Sequence, residues 1–257
     1  MALRHTLISL GAIVGALLPA LALAQAPRDL SGETVVLVHG AFADGSSWDQ
    51  VIPLLRARGL QVIAVQNPLT SLEDDTAATQ RAMERATGPI ILVGHSWGGA
   101  VISQAGEDPK VKALVFVAAA APDKGQSLND LTKGGPTPRW ATTLQKDSGG
   151  FLTLPEASIL SDFAQDLPPA QGRLIAETQG PWAAKCLGEP VTVAAWHDKP
   201  SWSVIPTDDH MIASAAQELM AKATHAKVTR VKASHVVMLS QPRVVADTII
   251  AAAEAVR

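Results

Sequence analysis

The chain has 257 residues, of which 47% are hydrophobic and 18% are charged, a composition that can supply one sizeable hydrophobic core. Its formal net charge of −3 is spread without long runs of one sign, so neither a nucleic acid nor an anionic membrane surface is indicated as a partner. The lone cysteine, Cys186, excludes an intramolecular disulfide and is typical of a small residue in the core.

Residues 1–24 have the pattern of a secretory signal peptide. Basic residues precede an apolar stretch over 7–23, which ends on Ala-Leu-Ala at 22–24, the small-x-small pattern that signal peptidase accepts. No stop-transfer charges follow, which favours cleavage over an uncleaved anchor. We therefore expect cleavage near Ala24, a mature chain of residues 25–257 that is periplasmic or secreted, and no stable membrane insertion after cleavage.

Short apolar runs then alternate with amphipathic stretches. Strands are predicted over 34–40, 60–68, 89–95 and 111–121, with helices over 47–59, 72–87 and 98–108. A second alternation follows residue 200, with strands over 201–207 and 226–234 and helices over 213–224 and 242–256. The helix over 72–87 carries acidic residues in its first turn, where the helix dipole favours them. Strands that alternate with helices predict a parallel sheet covered on both faces.

Residues 122–200 interrupt the alternation. Helical pieces are predicted over 155–167 and 169–180, no strand is predicted, and half of the chain's aromatic residues lie in this segment. Because open α/β sheets bind ligands at the carboxyl ends of their strands, the segment is interpreted as a lid inserted over that edge. A second packing layer without a ligand role is the alternative.

The stretch Gly94-His95-Ser96-Trp97-Gly98 satisfies the pattern G-x-S-x-G and lies between a predicted strand and a predicted helix. Glycine two residues from the serine lets the backbones approach in a tight turn that exposes the hydroxyl. The same turn lets the N–H of Trp97 point at an oxyanion. Ser96 is therefore the predicted nucleophile.

A serine hydroxyl is inert at neutral pH without a base and an orienting acid, which we expect downstream. His235 follows the last predicted strand and is the candidate base; a surface loop histidine is the alternative. Asp208 and Asp209 follow the strand over 201–207, and only one of them can face the imidazole, because neighbouring side chains in a turn point apart. We favour Asp209 as the acid, with Asp208 and Asp123 as alternatives.

The loop over 39–48 is expected to supply a second oxyanion donor, the backbone N–H of Ala41 or Phe42. Phe42 is better suited to wall an acyl pocket, and His95 and Trp182 are the other expected pocket residues. The sequence contains no H-E-x-x-H, C-x-x-C or G-x-x-x-x-G-K-[ST] pattern, so no metal or phosphate site is predicted.

The segments VLVHGAF, LVGHSWGGAVI and ASHVVMLSQP resemble the α/β-hydrolase superfamily across essentially the whole mature chain. More narrowly, the chain is similar to small lidded esterases of the plant methylesterase and hydroxynitrile lyase branch and to their bacterial relatives. The resemblance implies an α/β-hydrolase fold, with a mostly parallel sheet flanked by helices, a helical lid at about 122–200 and no cofactor. It implies as site residues the nucleophile Ser96, the base His235, the acid Asp209 and the oxyanion donors Ala41 and Trp97.

Two departures from that branch argue against lyase chemistry. Trp97 is bulkier than the small residue that some relatives place after the nucleophile, and Val236, not a lysine, follows His235. The predicted function is an exported serine carboxylesterase for small to medium apolar esters, active as a monomer or homodimer. Alternatives on the same triad are a lactonase, a C–C bond hydrolase, a lyase or a cofactor-free peroxidase; a non-catalytic binding module is the other possibility.

Overall fold

The computed structural model describes residues 29–257. The predicted signal peptide and its cleavage near Ala24 lie outside the described residues. Among the residues that are described, no helix combines the length and the apolar character needed to cross a membrane.

The strands of residues 29–257 form two sheets. In chain order they are β1 (Thr34–Val38), β2 (Gln61–Ala64), β3 (Ile90–His95), β4 (Val111–Val117), β5 (Gln145–Lys146), β6 (Phe151–Thr153), β7 (Trp182–Ala183), β8 (Ser201–Pro206) and β9 (Lys227–Val231). Six of them form one parallel sheet in the order β2-β1-β3-β4-β8-β9. Every residue of β1 and β3 is buried, as their apolar sequences require in a sheet covered on both faces. The predicted α/β fold with a parallel sheet is confirmed.

Helices cover this sheet. The α-helices of the described chain are α1 (Ile52–Arg56), α2 (Leu72–Glu84), α3 (Gly98–Ala105), α4 (Leu128–Thr132), α5 (Glu156–Ser158), α6 (Pro169–Thr178), α7 (Ser214–Ala223), α8 (Val237–Ser240) and α9 (Pro242–Ala255). Shorter turns of 3-10 helix lie at Gly45–Trp48, Arg139–Thr142, Ala184–Gly188 and Ala195–His197, and one π-helical turn lies at Ile159–Phe163. Helices α2 and α3 pack together, and α9 packs against β4, β8 and α1.

Two predicted elements have different bounds in the structure. The helix expected over 47–59 is split into the 3-10 turn and α1, because Pro53 stands at the start of α1 and has no N–H for a preceding turn. The strand expected over 111–121 ends at Val117, since Ala118 takes a φ of 47°, outside the extended region.

The inserted segment, residues 122–200, contains a small antiparallel sheet in the order β5-β6-β7. The expectation of no strand in this segment is therefore wrong. Strands of two or three residues are too short to display the alternating pattern that identifies a strand in a sequence. The helix expected over 155–167 is α5 followed by the π-helical turn, and α6 begins at Pro169 as expected.

The direction of the strands brings three predicted site residues to one edge. Ser96 follows β3, Asp209 lies three residues beyond the end of β8, and His235 lies four residues beyond the end of β9. Because these strands are parallel, their carboxyl ends share one edge of the sheet, which is where such folds place their ligand sites.

Candidate active site

The backbone around Ser96 forms a tight turn between β3 and α3. Ser96 has a φ of 52°, in the left-handed region that non-glycine residues rarely adopt. A Cβ on Gly98 would lie 2.6 Å from the carbonyl oxygen of Val38, and a Cβ on Gly94 would overlap the backbone of Gly98. Glycine is therefore required at both positions for the turn to pack against β1.

Three side chains form a continuous hydrogen-bonded series. Nε2 of His235 lies 2.8 Å from Oγ of Ser96, and Nδ1 of His235 lies 2.9 Å from Oδ2 of Asp209. The side chains of His235 and Asp209 are 1% and 0% exposed, whereas Ser96 is only half-buried. The carboxylate accepts a hydrogen bond from Nδ1–H of His235, which leaves the Nε2 lone pair facing the serine hydroxyl.

Asp209 is fixed by further hydrogen bonds. Its Oδ1 accepts from the backbone N–H groups of Met211 and Ile212, at 2.8 and 3.0 Å, and its Oδ2 also accepts from Nε2 of Gln217 at 2.7 Å. Gln217 lies on α7 and is 2% exposed. Sequence reasoning missed this residue, since a glutamine on a helix matches no catalytic pattern.

The other candidate acids do not reach the imidazole of His235. The side chain of Asp208 is 52% exposed and lies 3.4 Å from Nε2 of His210. Oδ1 of Asp123 lies 2.8 Å from Nε2 of His197. Of the three carboxylates considered, the structure brings only Asp209 to His235.

Three backbone N–H groups near Ser96 in the fold have no acceptor among the described residues. The N–H groups of Ala41, Phe42 and Trp97 donate to no acceptor in residues 29–257. Phe42 has a φ of 59°, so the loop after β1 is held in a conformation that ordinary turns do not need. Gly40 lets this loop approach, because a Cβ there would lie 2.7 Å from the Cβ of Ser96.

A buried histidine braces the same loop. Nδ1 of His39 donates to the carbonyl of Gly40 over 2.8 Å, and its Nε2 accepts from the backbone N–H of Asn67 over 2.9 Å. The side-chain amide of Asn67 donates in turn to the carbonyl of His39. Burial lowers the pKa of His39, so the ring stays neutral and can accept as well as donate. The sequence indicated no role for the side chain of either His39 or Asn67.

His95 is not a pocket residue, contrary to the expectation. Its ring is fully buried, and its Nε2 donates to the backbone carbonyl of His235 over 3.0 Å. Burial holds the pKa of His95 well below its usual range, so this ring is also neutral. The ring lies 4.8 Å from the imidazole of His235 and has no surface open to a ligand.

Aromatic rings surround the turn that carries the nucleophile. The ring of Trp182 lies 5.4 Å from that of Trp97 and 5.8 Å, edge to face, from that of Phe42. The ring of Phe163 lies 5.4 Å from the imidazole of His235. Phe42 and Trp182 thus pack beside the turn that carries Ser96, and Phe163 is a further ring near it that was not among the expected pocket residues.

The inserted segment is hydrogen-bonded directly to the loops that carry Asp209 and His235. The indole N–H of Trp140 donates to the carbonyl of Met211 over 2.9 Å. Oδ2 of Asp166 accepts from the backbone N–H of Ser234, next to the base, over 2.9 Å. Two side chains of the inserted segment therefore contact Met211 and Ser234, which lie close to Asp209 and His235 in the sequence.

Two other kinds of reactive site are relevant in the described residues, a metal site and the thiol of Cys186. In the part of the chain that the structure describes, no three His, Cys, Asp or Glu side chains are grouped so that they could hold a metal ion. Cys186 is fully buried, as expected of a core residue, and burial raises the pKa of its thiol to about 12. The thiol is therefore protonated at neutral pH and is not a competing nucleophile.

Known proteins are similar to this chain in sequence. A pyrethroid hydrolase from Sphingobium wenxiniae is 27% identical over 243 residues, which cover 84% of this chain and 85% of that protein. Salicylic acid-binding protein 2 from Nicotiana tabacum is 35% identical over 131 residues, 44% of this chain, and the match spans half the length of the tobacco protein.

Solved structures agree with the sequence relatives. The crystal structure of a pyrethroid hydrolase from Sphingobium faniae superposes with a TM-score of 0.74 at 26% identity and covers 87% of this chain and 98% of that one. Polyneuridine aldehyde esterase superposes equally well, with a TM-score of 0.74 at 20% identity, over 85% of this chain and 98% of its own, a likeness of fold alone. Residues 35–248 match the model of the alpha/beta hydrolase family. The chain therefore belongs to the alpha/beta hydrolase family, and methylesterases and bacterial hydrolases are among its relatives.

Proposed function

We propose that the protein is a serine carboxylesterase that hydrolyses small to medium apolar esters through an acyl-enzyme. The observation that carries the proposal is the series of hydrogen bonds from Ser96 through His235 to Asp209, at 2.8 and 2.9 Å. The names of the esterases and hydrolases among the relatives support ester chemistry. Because a pyrethroid is the named substrate of one relative, pyrethroid esters are among the substrates to test.

In the acylation half of the reaction, Oγ of Ser96 attacks the ester carbonyl carbon while Nε2 of His235 takes the hydroxyl proton. The carbonyl oxygen becomes an oxyanion, which accepts hydrogen bonds from the N–H groups of Trp97 and Ala41. Collapse of this intermediate breaks the bond to the alcohol oxygen. The alcohol leaves with the proton from His235, and the acyl group stays on Ser96.

In the deacylation half, a water molecule gives a proton to His235 and attacks the acyl carbon. Collapse of the second oxyanion releases the carboxylic acid, and the proton returns to Oγ of Ser96. Asp209 keeps the proton of His235 on Nδ1 and stabilises the imidazolium that forms in each half.

The inserted segment is proposed to act as a lid. His235 is 1% exposed, and rings from this segment, Phe163 and Trp182, pack beside the triad and the nucleophile turn. In this proposal the segment moves to widen access to the half-buried Ser96, as lids of enzymes do on substrate binding. The apolar rings favour an apolar acyl or alcohol group over a charged one. Export by the predicted signal peptide is part of the same proposal.

The test uses residues 25–257 with p-nitrophenyl acetate, butyrate, octanoate and palmitate. Ser96→Ala is expected to abolish turnover, and Ser103→Ala is the matched control, since Ser103 is a serine of the adjacent helix α3 that donates only to the carbonyl of Gly99. Acid and alcohol released in equal amounts distinguish hydrolysis from lyase chemistry. Unchanged turnover by Ser96→Ala would contradict the proposal.

A further inference from the structure

A buried carboxylate lies beside the nucleophile turn and is not part of the triad. Asp75, in the first turn of α2, is 0% exposed. The acidic residues of this turn were interpreted from the sequence as partners of the helix dipole, which suits exposed side chains but not this one. The ion pairs of residues 29–257 do not include Asp75. Burying a carboxylate without a neighbouring cation costs free energy, so the hydrogen bonds that Asp75 accepts are needed to offset that cost.

Both oxygens of Asp75 accept hydrogen bonds from groups near the site. Oδ2 accepts from the indole N–H of Trp97 over 2.7 Å. Oδ1 accepts from the backbone N–H of Leu69 over 2.8 Å. Trp97 directly follows the nucleophile, and its backbone N–H is a proposed oxyanion donor. The carboxylate therefore fixes the side chain of a residue whose backbone takes part in the proposed reaction.

The second hydrogen bond leads to the inserted segment. The carbonyl of Leu69 accepts from the backbone N–H of Ala183 in β7 over 2.9 Å. Leu69 has a φ of 58°, so its position depends on the groups that hold it. The ring of Trp182, also in β7, packs at 5.4 Å on that of Trp97. Asp75 thus reaches both partners of this ring pair, one directly and one through Leu69.

We propose that Asp75 is a positioning residue for the ester hydrolysis proposed above, on which this inference rests. It holds the indole of Trp97 on one side and the β7 backbone on the other, and so sets the wall of the acyl pocket beside the oxyanion donors. Without it, Trp97 and Trp182 lose their common support, while the triad hydrogen bonds remain.

The ionisation state of Asp75 determines how strongly its carboxyl group accepts hydrogen bonds from Trp97 and Leu69. Burial raises the pKa of Asp75 to about 6, and the nearby carboxylates of Asp74 and Glu189 add to the rise. The Cys186 thiol on the same side stays protonated near this pH. As the pH falls through about 6, the carboxyl takes up a proton, becomes a weaker acceptor, and releases its hold on Trp97.

The contact is tested without turnover, in a Ser96→Ala background. Tryptophan emission between pH 5 and 8 is expected to change with a midpoint near 6. The change is expected to vanish in Asp75→Asn and in Trp97→Phe, and to persist in Glu73→Gln, an exposed acid in the same helical turn. A step near pH 6 that survives Asp75→Asn overturns the inference.

The positioning role is tested in the active enzyme. Asp75→Asn and Trp97→Phe are each expected to lower kcat on p-nitrophenyl butyrate by about tenfold, and the double variant by no more than either single one, since both remove one interaction. Glu73→Gln keeps the wild-type kcat. Unchanged kcat in both single variants overturns the role. An inactive wild type would refute the proposed function instead, and the emission change would still report the Asp75–Trp97 bond.

Discussion

Nε2 of Gln217 donates to Oδ2 of Asp209 over 2.7 Å, and this oxygen also faces Nδ1 of His235. The amide of Gln217 donates as well to the carbonyl of Ile212, over 2.7 Å. One side chain on α7 therefore aims the carboxylate and holds the loop that carries it. Its position explains how an acid in a loop can keep a fixed direction toward the imidazole.

Replacing Gln217 tests this support. Gln217→Met keeps the length of the side chain but removes the donor, and we expect kcat to fall by about tenfold, since a hydrogen bond to a charged group contributes about 1.5–3 kcal/mol. Gln217→Glu is expected to lower kcat further, because it places a second carboxylate against Asp209. Steady-state kinetics on p-nitrophenyl butyrate measure both. A Met variant with the wild-type kcat would show that Asp209 needs no such support.

The adjacent aspartates are predicted to differ sharply. Asp209→Asn should lower kcat by about 10³–10⁴-fold, because an amide can no longer hold the proton of His235 on Nδ1. Asp208→Asn should leave kcat within about twofold, since Asp208 is half exposed and faces His210. Because both variants replace an aspartate by an asparagine of the same shape, comparing them measures the effect of which carboxylate faces His235. Equal losses in both would contradict the assignment of the acid.

The parts of the site that the sequence could predict share one physical basis. Ser96 lies in a turn with a distinctive glycine pattern, and Asp209 and His235 each follow a strand whose apolar sequence is recognisable. Once the sheet is parallel, these ends must meet at one edge. Local pattern and topology therefore determine the three residues together.

The residues that support the triad could not be predicted in the same way. The amide of Gln217 bonds to Asp209 across the loop before α7, and that of Asn67 bonds to the distant His39; a lone amide carries no periodic or spacing signal in either case. Asp75 was misinterpreted because its partners Leu69 and Trp97 come from outside its helix, and the acidic first turn gives no sign that one of its residues is buried. His95 was misplaced because its ring bonds to the backbone of His235, a residue far away in the sequence.

Gly40 is predicted to be essential for activity rather than for folding. A Cβ at this position would lie 2.7 Å from the Cβ of Ser96 and 3.0 Å from Nδ1 of His95. We expect Gly40→Ala to displace the nucleophile and to lower kcat by about 100-fold or more, with a loss of about 1–3 kcal/mol in stability. Gly188→Ala is the control, because a Cβ there meets the side chain of Asn129 at an ordinary 3.5 Å. Wild-type kcat in Gly40→Ala would contradict the proposed close approach.

Asp75 is predicted to make the stability of the protein depend on pH in a direction opposite to that of a salt-bridged aspartate. Its pKa is raised from 3.8 to about 6 by burial. Between these values the folded chain binds a proton that the unfolded chain has released, so the free energy of unfolding falls as the pH rises. Above about pH 6 Asp75 is ionised in the folded protein as well, and the loss of stability is then complete. The ionised form is also the one that accepts the hydrogen bonds from Trp97 and Leu69 most strongly.

Denaturation with urea at several pH values measures this term. The free energy of unfolding of the wild type, relative to Asp75→Asn, is expected to rise by about 1 kcal/mol between pH 8 and pH 5, because only the wild type gains a proton on that site. Glu73→Gln serves as the control, since Glu73 is exposed and its loss should leave this pH dependence unchanged. A constant difference between wild type and Asp75→Asn across this range would mean that Asp75 ionises as an ordinary carboxyl. Such a result would also remove the physical reason for its effect on Trp97 near pH 6.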